Sequence, residues 1–277
     1  MIFDLHCHLT AEEYNDLDNV VERAKDILIV SSGLNFEDNK NVLEICRKYK
    51  NVKAGFGLYP VDALNMDDLE FERNLKFIEK NKDKCLYVGE CGLDYKDKGH
   101  QRTFFDKKAS PKNEPCATDE QDREKQKEVF LKCIKLAEKI KKPLLIHSRK
   151  AEEDCVEILE NCNVKNAVFH CFTGDFKLVK RIEGNGWGFS IPASVVRDGR
   201  FQRIVKNVDV SRLFTETDAP FLSPFSFKKE KALGEKENRM NEPSFVVEGL
   251  KKIAEIKKLE VKEVENILYM NFQRMFL

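Results

Sequence analysis

Cysteine occurs nine times in these 277 residues, yet no Cys-x-x-Cys pair is found. An odd, scattered set of thiols argues against a disulfide framework, and without that spacing a zinc ribbon has nothing to build on. Reduced thiols in a cytoplasmic protein are the expectation. Apolar runs approaching the roughly 20 residues of a membrane span are also missing. The opening MIFDLHCHL has no basic n-region, and it puts histidines where the apolar core of a secretory signal would lie, so no signal peptide is expected. Charge of one sign is not in excess, since 48 Lys and Arg face 48 Asp and Glu. A whole-molecule field that captures nucleic acid is therefore not evident, and any attraction for phosphate must be local. Histidine is scarce, with five in the chain, so the position of each one is informative.

Hydrophobic residues make up 42% of the chain, enough for a sizeable core, and charged residues 35%. The length matches a single (β/α)₈ barrel, and one domain over residues 1–277 is expected. Short apolar or β-branched runs recur at residues 2–5, 27–30, 52–56, 85–88, 143–146, 167–169, 188–191 and 212–215, with longer amphipathic stretches between most of them. Within residues 123–141, Phe130, Cys133, Ile134 and Ala137 fall at i, i+3, i+4 and i+7, which is one face of a helix, and Pro143 follows as a stop. Val264, Ile267, Leu268 and Phe272 repeat the stripe near the end. Alternating strands and helices imply a parallel sheet with right-handed crossovers. Eight units fit a closed barrel; a doubly wound open sheet is the alternative. Residues 96–121 and 223–241 are long and polar, and each follows a strand, so in a barrel both overhang the C-terminal face, where active sites sit. A solvated excursion is the plainer reading of either. His100, in the first, is expected to be a solvated loop residue.

The other four histidines lie at the downstream ends of predicted strands: His6 and His8 in FDLHCHL, His147 in PLLIHSR, His170 in AVFHCFTG. Two carboxylates hold the same kind of position, Glu90 in YVGECGLDY and Asp218 in LFTETDAP. Residues i and i+2 of a strand point to one face, so His6 and His8 can converge on a cation. The intervening Cys7 then faces the helix layer, and Cys91 and Cys171, each following a proposed ligand, are expected to point outward and pack. Alone, each piece is weak: a His-x-His is usually ordinary, a Glu after a strand is commonly a cap, and a buried histidine is commonly satisfied by a carbonyl. Their shared end of one barrel favours a joint metal site. Imidazole and carboxylate donors suit zinc, manganese or magnesium, and six of them suit two ions better than one.

With these residues assembled, the sequence resembles the TatD family of metal-dependent deoxyribonucleases, within the amidohydrolase superfamily. FDLHCHL, VGECGLDY, QKEVFLKCIKLAEKIKKPLLIHSRKA, FHCFTG, ETDAPFLSP, NEP and NFQRMF carry the resemblance from end to end. It implies His6 and His8 on one divalent ion, His147 and His170 on a second, Glu90 bridging, and Asp218 as both ligand and base for the attacking water. It implies DNA as substrate, cut from a 3′ end. Arg149, two residues past His147, would share its side if the strand continued and could clasp a phosphate; a salt bridge to a neighbouring carboxylate is the plainer reading. Lys228, Lys229, Lys231 and Arg239 offer local positive charge, or a solvated face. The sequence departs from the family at Tyr59, where Gly-Leu-Tyr-Pro stands for the usual Gly-x-His-Pro, and this bears on substrate contact. The loop after Glu90 is longer than usual; its Phe104 and Phe105 anchor it to the barrel or stack on bases. Asp94 matches the family and is a candidate to orient a ligand. Two other functions remain open: an ester or amide hydrolase, such as one acting on misacylated transfer RNA, and a barrel that binds metal without catalysis.

Overall fold

The structure is a computed structural model that describes residues 1–96, 120–225 and 240–277. Eight strands, β1 (Ile2–Cys7), β2 (Ile27–Gly33), β3 (Val52–Phe56), β4 (Cys85–Gly92), β5 (Leu144–His147), β6 (Ala167–His170), β7 (Gly188–Pro192) and β8 (Leu213–Glu216), form one sheet in chain order. Each is parallel to the next. Helices α1 (Leu17–Arg23), α2 (Phe36–Lys48), α3 (Asp68–Lys80), α4 (Glu120–Ile140), α5 (Glu152–Asn161), α6 (Phe176–Gly184) and α7 (Gly199–Asn207) separate the strands, and α8 (Val246–Lys257) and α9 (Val261–Phe276) follow β8. This is the expected (β/α)₈ barrel. His100, Phe104, Phe105, Lys228, Lys229, Lys231 and Arg239 lie outside the described residues. Among the described residues no helix is long and apolar enough to cross a membrane.

Alternation along β1 sets the two layers. Phe3 meets Phe272 of α9 with ring centroids 4.8 Å apart, and Cys7 packs with Val20 and Val21 of α1. Asp4, His6 and His8 are left for the other side, all of them buried. The seam between β8 and β1 is fastened in part by side chains. The Thr217 N–H and hydroxyl donate to the Asp4 carboxylate at 2.8 and 2.5 Å. The Thr215 hydroxyl donates to the Phe3 carbonyl at 2.8 Å. Two backbone bonds continue the seam to the barrel mouth, Asp218 N–H to His6 C=O at 2.9 Å and His8 N–H to Ala219 C=O at 2.7 Å. Burial pushes the Asp4 carboxyl well above its ordinary range, and the Thr217 bonds oppose that rise. The open-sheet alternative is excluded by this closure.

Several strands run past their expected ends. β1 continues to Cys7, β2 to Gly33 and β4 to Gly92, so His6 and Glu90 sit inside strands and not after them. The polar residues that look like strand ends are simply those that face the mouth. At the other end, residues 143 and 212 precede β5 and β8.

Candidate metal centre

The two strands that bring in the first three expected ligands, β1 and β4, are irregular beside them. β1 slips against β2 between Asp4 and Cys7, and β4 slips against β5 between Val88 and Cys91. Bulges of this kind re-aim side chains and recur beside active sites. With that slip, the His6 and His8 rings come within 4.7 Å of each other, and His170 lies 4.5 Å from His6. All six expected ligands therefore meet at one mouth of the barrel.

Glu90 stands between two sets of donors. Its Oε2 lies 3.5 Å from His6 Nε2 and 3.7 Å from His8 Nε2. Asp218 Oδ1 completes that set, 3.4 Å from His6 Nε2 and 3.6 Å from His8 Nε2. The other Glu90 oxygen, Oε1, lies 2.6 Å from His147 Nδ1 and 3.0 Å from His170 Nε2. The first set is too widely spaced for good hydrogen bonds, and the buried His6 Nε2 makes none. Such spacing is the edge expected between donors held about 2.0–2.2 Å from a shared cation. The residues fit a divalent ion there. In the second set the distances are those of hydrogen bonds, including 3.1 Å between His147 Nδ1 and His170 Nε2.

Support for the ligands comes from residues that the strand pattern passes over. Ser32, in the tail of β2, lies 2.7 Å from His6 Nδ1 and 2.6 Å from the Tyr87 hydroxyl, which donates to the Leu5 carbonyl at 3.0 Å. That chain turns His6 Nε2 to the centre. Gly55 makes room for Tyr87, since a Cβ at that position would sit 2.0 Å from the tyrosine ring. Asp94 lies 3.0 Å from His147 Nε2 and accepts a hydrogen bond from the Tyr59 hydroxyl at 2.9 Å. Gln126 of α4 clamps the Asp94 backbone through both ends of its amide, at 2.8 and 3.0 Å. Asp94 thus fixes the position of the His147 ring. Tyr59 is buried with its hydroxyl on Asp94, behind His147.

Two expectations about direction need correcting. Cys171 does not point outward. β6 ends at His170, and Cys171 has a φ of 45°, so the alternation that would turn it away has stopped. Its Sγ lies 3.1 Å from Glu216 Oε1 and 3.9 Å from Asp218 Oδ2. Likewise β5 ends at His147, and Arg149 sits exposed on the following turn, where same-face reasoning does not reach. Its charge still bears on the Tyr59 hydroxyl. Cys7 and Cys91 do pack as expected, within the core.

The electrostatics follow from burial against partners. Burial and the nearby His170 lower the His6 imidazole to about 4. Burial also opposes charge on His147, but Glu90 and Asp94 outweigh it and raise that ring to about 10. Burial would raise the Glu90 carboxyl, yet His170 and His147 hold it well below its ordinary range. Asp218 is depressed in the same way by His6 and His8. Loading a cation on the His147 pair at pH 7 must therefore expel the proton on His147, because a ligating ring needs a free lone pair. About one proton per bound ion is expected there, read by titration calorimetry in buffers of different ionisation enthalpy. No buffer dependence would refute it. In the chelated protein the sign reverses. His147 has a folded value raised above the ordinary 6.5, so its contribution to stability is complete below pH 6.5 and is lost as pH rises through about 10.

A family model described as TatD related DNase matches residues 3–277. A metal-dependent hydrolase, YabD, of Bacillus subtilis is 34% identical over 286 residues, covering 100% of this chain and 99% of that protein. A metal-dependent hydrolase of Methanocaldococcus jannaschii is 32% identical over 276 residues, covering 99% and 96%. The human deoxyribonuclease TATDN3 is 29% identical, covering 99% and 94%. Among solved structures, a TatD homologue from Escherichia coli superposes with a TM-score of 0.79 at 20% identity, covering 99% of this chain and 97% of that one.

Proposed function

The chain belongs to the TatD family of metal-dependent hydrolases, and on that premise we propose that it hydrolyses DNA phosphodiesters, removing residues from a 3′ end with the help of two divalent ions. The observation that carries this reading is the convergence of His6, His8, Glu90, His147, His170 and Asp218, with Glu90 offering one oxygen to each histidine pair. A divalent cation (magnesium, manganese or zinc) bound there would lower the pKa of its water towards about 7 and polarise a phosphoryl oxygen.

The remaining work belongs to side chains. Asp218 stays ionised at neutral pH because His6 and His8 stabilise its charge. Its side chain is 13% exposed, more than that of Glu90, His6, His8, His147 or His170, so it faces the side from which water and substrate arrive. It is placed to orient that water and take its proton. Glu90 balances the charge of both histidine pairs. Asp94, backed by Tyr59, keeps His147 aimed at Glu90. Arg149, exposed on the turn past β5, is suited to a phosphate through a bidentate pair, and Arg239 is assigned to the same backbone contact. The buried position of the ligands favours a chain end over an internal phosphate, and the name of the human relative favours DNA.

The test pairs two substrates. Protein stripped with a chelator and reloaded with manganese or zinc should release 3′-terminal nucleotides from 3′-labelled single-stranded DNA, and the stripped protein should not. A misacylated transfer RNA assayed alongside should remain charged. Deacylation without any DNA cleavage would replace the nuclease reading with that of an ester hydrolase on the same scaffold.

A further inference from the structure

His170 faces two ways. Its Nε2 belongs to the Glu90 centre, while Nδ1 points to a separate group made by Cys171 and Glu216. Nδ1 lies 3.9 Å from Glu216 Oε1, and Cys171 Sγ lies 3.1 Å from that oxygen. One ligand atom from each of His170, Cys171 and Glu216 lies within 4.8 Å of the others. Bonds of about 2.0–2.2 Å to nitrogen and oxygen and about 2.3 Å to sulfur give tetrahedral edges of roughly 3.3–3.6 Å. Around a cation the 3.9 Å separation would shorten and the 3.1 Å one lengthen, shifts within reach of side-chain rotation.

The group is also short of partners. Glu216 is 0% exposed and His170 6%. Glu216 Oε1 accepts the Cys171 N–H at 3.0 Å, but Glu216 Oε2 and His170 Nδ1 make no hydrogen bond among the described residues. Ser190, paired with His170 across β6 and β7, buries its hydroxyl close enough to Glu216 to lower that carboxyl, without completing a hydrogen bond of good geometry among the described residues. Buried polar atoms left this way are costly. A carboxylate oxygen and a ring nitrogen without hydrogen bonds, beside a thiol that donates to Glu216 Oε1, form a group rich in negative charge that a positive ion would match.

We propose that His170 Nδ1, Cys171 Sγ and Glu216 form a third cation position, specific for a zinc-class ion and joined to the main centre through the His170 ring. Thiolate and imidazole donors select zinc or cobalt and give magnesium little. This sets the position apart from the histidine–carboxylate centre, which contains no sulfur. Binding replaces the Cys171 S–H bond by a sulfur–metal bond and releases that proton to solvent. Were Nε2 also on an ion, the ring would release its remaining proton to solvent and serve both ions as imidazolate. The position is the same whether the substrate is DNA or another ester.

The experiment uses the full chain, stripped and reloaded with cobalt or zinc alone. Wild type should hold one more equivalent of zinc than Cys171→Ser, and its cobalt form should show the near-ultraviolet charge-transfer band of a cobalt–thiolate bond. That band should vanish in Cys171→Ser and persist in Cys162→Ser, which removes an exposed thiol at the C-cap of α5. Equal zinc content, or a band unchanged in Cys171→Ser, overturns the proposal. If Cys171→Ser fails to fold, anomalous scattering at the zinc edge from wild-type crystals decides instead. A peak among the three side chains supports the site. Its absence, with peaks still present at the Glu90 centre, overturns this proposal and leaves the nuclease reading standing.

Discussion

Changing Asp218 to asparagine should slow DNA hydrolysis about 100- to 10,000-fold, the range contributed by a positioned proton acceptor. Asparagine has nearly the same shape and keeps an oxygen where Oδ1 now lies 3.4 and 3.6 Å from His6 and His8. Metal should therefore remain, more weakly held, while the group that takes the proton from water is gone. Two measurements separate these effects: metal content by mass spectrometry and single-turnover cleavage at saturating metal. The carboxylate's low pKa works in the same direction, because it leaves Asp218 ionised across the neutral range in the wild type. A rate within a few-fold of wild type would mean that another base does this work, with Glu216 the next carboxylate to examine.

The second large effect is expected at Glu90. Glutamine there removes the one negative charge shared by both histidine pairs. Bound metal should fall below two equivalents, with affinity reduced by more than the roughly 10- to 100-fold lost when a mere outer partner of a ligand is removed. Hydrolysis should fall with it. The chelated protein should also suffer. His147 Nδ1 sits 2.6 Å from Glu90 Oε1, and the carboxylate is the chief reason that this buried ring holds a proton. Breaking a buried ion pair from one side costs about 3–5 kcal/mol. At about 2–4 °C per kcal/mol for a chain somewhat shorter than this one, the melting temperature of the metal-free variant should drop on the order of 10 °C. The loss should be smaller at pH above about 10, where His147 is neutral in the wild type as well. Unchanged metal content together with an unchanged melting temperature would show that Glu90 neither binds nor balances charge.

Much of the centre was open to inspection in the chain itself. An apolar run that ends in histidine or in a carboxylate marks a strand's downstream end, and in a parallel barrel all those ends lie together. His6, His8, Glu90, His147, His170 and Asp218 could thus be grouped without coordinates, and so could the eight-unit fold. The direction of Cys7 and Cys91 followed from strand alternation, which survives the register slips beside them because both residues still lie within β1 and β4.

Tertiary structure decided everything that depends on where that extension stops or on contacts distant in sequence. Cys171 turns inward because its backbone leaves the strand region one residue after β6. The slips in β1 and β4 are fixed by neighbouring strands, whose hydrogen bonds exist only once the sheet has formed. Ser32 and Tyr87, 55 positions apart, reach His6 by packing across the barrel. Asp94 and Tyr59, 35 positions apart, reach His147 in the same manner. A short-range pattern records which way a side chain faces. What that side chain meets is set by barrel closure, which brings residues together without leaving any periodic trace in the sequence.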